Sequence, residues 1–98
     1  MKDAFGKEVR DLEIKDVEQP FLKYAISRGS LCEKVISQSR KGWPDRFLCR
    51  KGRVVLCEFK RSGEEPNPQQ AKRHAELRAY GLEVVWFNDL IKAKEFFK

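Results

Sequence analysis

Residues 46–60 read RFLCRKGRVVLCEFK, and no other stretch narrows the fold of this chain as far. Two runs with apolar centres, RFLCR at 46–50 and VVLCEFK at 54–60, flank Lys-Gly-Arg. That is the pattern of two strands joined by a short glycine-containing hairpin. Side chains alternate across a strand, so Val54, Leu56, Glu58 and Lys60 share one face, and Val55, Cys57 and Phe59 the other. An acid and a base therefore project together from the end of an apolar strand. Packing alone gives no reason for the pair, so something must compensate it.

The other elements follow from local signals. From Asp16, the spacing of Val17, Phe21 and Ala25 with Leu22 and Ile26 predicts a helix that closes at Gly29, with Pro20 in its first turn. Glu18 then lies at the helix start, where negative charge meets the positive end of the dipole. LCEKVIS at 31–37 reads as a strand and QSRKGWP as a loop. After the hairpin comes the turn-rich RSGEEPNP, whose Asn67-Pro68 opens a helix to Gly81. That helix is expected to bury Ala71, Ala75 and Leu77, with contacts near Leu82. LEVVWF at 82–87 is a further strand, and Asn88 or Asp89 caps a last helix with Leu90, Ile91 and Phe97 on its apolar side. The order is αβββαβα, an α/β fold with a mixed sheet flanked by helices. Residues 1–15 show no clean period and read as an arm or a short helix.

At 98 residues the chain is expected to be a single domain spanning 1–98, with one core. Its 21 Lys and Arg against 15 Asp and Glu give a net charge of +6, which favours a polyanionic partner, nucleic acid ahead of an anionic membrane surface. No run approaches the roughly 18 apolar residues of a membrane span, and the charged N-terminus is unlike a signal peptide. A soluble, intracellular protein is expected. Cys32, Cys49 and Cys57 form no CxxC pair and read as structural. The sole histidine, His74, follows Lys72 and Arg73 and is expected at the surface.

Pro44-Asp45, followed across the hairpin by Glu58-x-Lys60, resembles the PD-(D/E)xK nuclease superfamily. Within it the chain resembles the VRR-NUC group through RKGWPDR, GRVVLCEFKRSG and NPQQ, in that order between Glu18 and the final strand. The resemblance implies a restriction-endonuclease-like αβββαβ core. It makes Asp45 and Glu58 central metal ligands, the Phe59 backbone carbonyl a further ligand, and Lys60 the catalytic lysine. Glu18 becomes the acid brought in by the helix, with Glu13 as its rival, and Gln70 supports the site from the following helix. Trp43 departs from the pattern, which usually has a smaller aliphatic residue there; it either packs or stacks on an unpaired base.

The implied activity is Mg²⁺- or Mn²⁺-dependent hydrolysis of DNA phosphodiesters. Oxygen ligands select such hard ions. Arg40, Lys41, Arg46 and Arg61 are the leading phosphate contacts. Stand-alone relatives imply a homodimer acting on branched DNA such as Holliday junctions, with a helicase as a further possible partner. Two other readings stand beside this one: a non-catalytic basic nucleic-acid-binding module, and an interaction domain whose acids form surface ion pairs.

Overall fold

The computed structural model describes residues 17–36 and 41–98. The expected N-terminal arm, Glu13 and Arg40 lie outside the described residues. Helix α1 spans Gln19–Ser27, followed by strands β1 (Leu31–Lys34), β2 (Arg46–Arg50) and β3 (Arg53–Phe59). Helix α2 (Pro68–Ala79), strand β4 (Val84–Phe87) and helix α3 (Leu90–Phe96) complete the order read from the sequence.

The four strands form one mixed sheet in the order β1-β2-β3-β4, with β1/β2 and β2/β3 antiparallel and β3/β4 parallel. A parallel pair needs a crossover, and α2 supplies it. Between β2 and β3 the loop is only Lys51-Gly52, with φ of 50° and 83°. Positive φ at both central residues is the turn whose twist matches that of paired strands, and glycine tolerates it freely.

The sheet separates two apolar layers. On one face Cys57 and Phe59 pack with Leu48 against Val17, Phe21, Leu22 and Ala25 of the α1 region and Ala93 of α3. On the other, Leu56 and Val84 meet Leu77 of α2, with Trp43 and Phe47 at the margin. The alternation expected of β3 thus sorts correctly: its odd residues face α1 and α3, and its even residues from Leu56 face α2.

Several finer expectations are corrected. Strand β1 stops at Lys34 instead of Ser37, although Val35 still donates its N–H to the Asp45 carbonyl at 2.8 Å. Ile26 and Ile91 are exposed, and Ala93 takes the buried position on α3. Helix α2 turns His74 and Leu77 inward and leaves Ala71 and Ala75 exposed. Its inward stripe is partly polar, so apolar periodicity alone misplaces it. His74 is accordingly a buried residue, not a surface one.

The helix ends are well specified. Asn67 accepts from the Gln70 N–H at 2.8 Å, while the Gln70 side-chain oxygen accepts from the Asn67 N–H at 2.9 Å. This reciprocal pair satisfies two amides that the first turn leaves without helical partners. Asp89, not Asn88, caps α3, accepting from the Lys92 N–H at 3.0 Å.

Candidate active site

The site is built where β2 begins and β3 ends. The β2/β3 register pairs Arg46 with Cys57, so one step further Asp45 stands opposite Glu58. Directly opposed residues in an antiparallel pair share a face, which sets the two carboxylates side by side. Lys60 immediately follows β3, held by its N–H to the Phe87 carbonyl at 2.8 Å, and two residues from Glu58 it returns to the same face. Across the parallel pair Glu58 is matched with Trp86.

Asp45 owes its position to the preceding loop. Gly42 has φ +87° and lies so close to α2 that a Cβ there would come within 2.8 Å of the Gln69 carbonyl oxygen and 3.1 Å of the Arg73 Cβ. Arg73 Nε also donates to the Lys41 carbonyl at 3.2 Å. The segment Lys41–Asp45 is thereby fastened to the first turns of α2, with Pro44 buried. Trp43 packs beside Leu56, Leu77 and Val84, the first of the two roles considered for it.

Glu58 is 1% exposed, and it is met from α2 by His74, also 1% exposed. The His74 Nε2 to Glu58 Oε1 distance is 3.8 Å. Burial lowers the His74 pKa from its ordinary 6.5, with Arg78 and Lys60 acting in the same direction and Asp45 against them. Burial raises the Cys57 thiol well above its ordinary 9.0, and the Glu58, Asp45 and Glu18 carboxylates raise it further. All three nominated acids therefore act on one buried sulfur.

Glu18 arrives from the α1 side. It occupies the N-cap position without a side-chain capping bond, at a π-type turn with Val17, and is 2% exposed. Arg46 Nε donates to its Oε1 at 2.9 Å. Phe59 is 1% exposed, its ring 5.2 Å from that of Phe21. The Gln70 side chain serves the α2 cap. Of the nominated phosphate contacts, Arg46 is occupied by Glu18, Arg61 donates to Glu64 from Nη2 at 2.9 Å, and Lys41 is exposed.

The β2/β3 register extended by one residue thus aligns Asp45 with Glu58, Lys60 follows two residues on, and His74, expected at the surface, meets Glu58 from α2. Among the described residues, no group of three His, Cys, Asp or Glu side chains forms a metal-holding cluster. The donor chemistry nonetheless suits a hard divalent ion: two opposed carboxylates with a backbone carbonyl next in the chain, and no soft ligand demanded.

A mixed sheet between helical layers, with two acids and a lysine at the ends of its central strands, is the arrangement of a nuclease core. No protein-family model matches the chain. It is 38% identical over 70 residues to "Putative nuclease p44" of Acyrthosiphon pisum secondary endosymbiont phage 1, covering 70% of this chain and 75% of that protein. A solved structure described as a VRR_NUC domain superposes with a TM-score of 0.68 at 26% identity, covering 82% of this chain and 92% of its own. The chain belongs to the VRR-NUC family of nucleases.

Proposed function

We propose that the chain is a metal-dependent endonuclease acting on DNA. What supports this reading is the β2/β3 register, in which Arg46 pairs with Cys57; one residue further on, Asp45 falls across from Glu58, with Lys60 two residues beyond. Asp45, Glu58 and the Phe59 carbonyl would hold Mg²⁺ or Mn²⁺; Glu18, the further acid that the resemblance implies, is engaged by Arg46 at 2.9 Å. When bound, such an ion neutralises phosphate charge and makes a water molecule more acidic. Lys60, half-exposed beside the carboxylates, orients the attacking water or donates to a phosphate oxygen. Arg61 and Lys41 bind flanking phosphates, in keeping with the net charge of +6.

The substrate we infer is branched DNA, including four-way junctions, cut by a homodimer that supplies one site per strand. Support for pairing comes from β1, an edge of the sheet among the described residues, where Leu31 is 55% exposed. The test is cleavage of linear duplex, flap and four-way junction DNA in Mg²⁺, Mn²⁺ or EDTA, alongside Lys60→Ala. Metal-dependent cleavage, strongest on branched substrates and lost in Lys60→Ala, is expected. Cleavage in EDTA, or an unimpaired variant, would sink the mechanism.

A further inference from the structure

Helix α2 turns two residues toward the sheet, and they differ in kind. Leu77 packs on Leu56 and Val84, as an apolar layer requires. One turn earlier, His74 is equally enclosed, yet its Nε2 has no hydrogen-bond partner. A leucine at that position would fill space without enclosing a polar nitrogen, so packing does not explain the imidazole. What it faces is the Glu58 carboxylate, equally buried and at 3.8 Å, just beyond hydrogen-bond reach.

We propose that His74 is a positioning residue for the metal-binding carboxylate. With an ion in the site, the imidazole Nε2 would close its 3.8 Å gap to Glu58 Oε1, donate its N–H there and leave the other carboxylate oxygen to the ion. The proposal rests on the nuclease reading of Asp45 and Glu58. Carboxylates that hold metal ions are themselves hydrogen-bonded by neighbours that fix their orientation. The platform is also rigid: Gly42 abuts the first turns of α2, and the Asn67–Gln70 box closes its start.

The test is Mn²⁺ affinity measured by titration calorimetry without DNA, on wild type, Glu58→Gln, His74→Leu and His74→Gln, each checked by circular dichroism. His74→Leu is expected to weaken Mn²⁺ binding about 10–100-fold, and His74→Gln, which retains an N–H donor, to recover most of it. In cleavage, the His74→Leu deficit should shrink as Mn²⁺ is raised. A folded His74→Leu variant that binds Mn²⁺ like wild type, while Glu58→Gln does not bind, overturns the proposal and leaves the nuclease reading standing. Wild type that binds no Mn²⁺ overturns the nuclease reading itself.

A second measurement needs no variant. His74 is the only histidine, so long-range ¹H–¹⁵N spectra report its tautomer directly. A protonated Nε2 that shifts on addition of Mg²⁺ is expected. A proton on Nδ1 alone, with Nε2 bare, overturns the proposal.

Discussion

Replacing Gly42 by alanine tests whether the loop carrying Asp45 is clamped to α2. Two costs add. A side chain at φ +87° is strained by about 1–2 kcal/mol. The new Cβ must also displace backbone, because the Gln69 carbonyl oxygen lies 2.8 Å from its position, and forced overpacking of this kind costs about 1–3 kcal/mol. The sum, about 2–5 kcal/mol, is a large part of the stability of a domain this size. Gly52→Ala is the matched control, since Gly52 has φ +83° but nothing within 4 Å of the added carbon. It should lose only the backbone share. With a urea slope of about 2 kcal/mol per molar, Gly42→Ala should lower the unfolding midpoint by roughly 1–2.5 M, well beyond Gly52→Ala. Equal shifts in the two variants would refute the clamp, and a Gly42→Ala midpoint matching wild type would refute the strain as well. Because the loop can yield only by moving Pro44 and Asp45, DNA cleavage should fall more in Gly42→Ala than in Gly52→Ala.

Three further outcomes follow from the same contacts. Asn67→Ala removes the acceptor of the α2 capping box and should cost about 1 kcal/mol in thermal or urea unfolding, with Gln70→Ala costing less because the Asn67 bond survives. The folded-state pKa of His74 is depressed below 6.5, so its share of stability is fully present above the unfolded value and is lost as pH falls from 6.5 through the folded value. Melting temperatures taken from pH 8 to pH 5 should show that decline in wild type and a flatter profile in His74→Gln. Arg61→Ala removes one phosphate contact and should reduce the slope of log binding constant against log salt by about 0.9 on duplex DNA, while stability, which owes little to an exposed ion pair, stays near wild type.

The elements legible in the sequence are those that local chemistry determines. The hairpin is legible in the apolar runs on either side of a glycine-containing turn, and the start of α2 in Asn67-Pro68, because turns and caps are decided by a few adjacent residues. Glu58 and Lys60 stand out through alternation along β3, and Asp45 through the resemblance of Pro44-Asp45 to the nuclease pattern; the register that aligns Asp45 with Glu58 depends on a two-residue loop, which a linker read as Lys-Gly-Arg does not fix. His74 was not legible, since a helix whose inward face carries an imidazole breaks the apolar periodicity that would reveal that face. Ala71 and Ala75 supplied a false stripe in its place. The hold of Arg46 on Glu18 was hidden for another reason: it joins residues 28 apart in the chain, from a helix and a strand that the sequence does not dock together.

That pairing changes what the positive charge of the chain is available to do. Arg61 holds Glu64 in a pair exposed at 28% and 47%, where water already screens the charges and a DNA phosphate can take the place of the carboxylate at little cost. Arg46 holds Glu18 with exposures of 17% and 2%, so its departure leaves an enclosed carboxylate without its cation. The two arginines, equal candidates by sequence, are therefore unequal in the fold: Arg61 is available to the ligand, and Arg46 is committed to the protein.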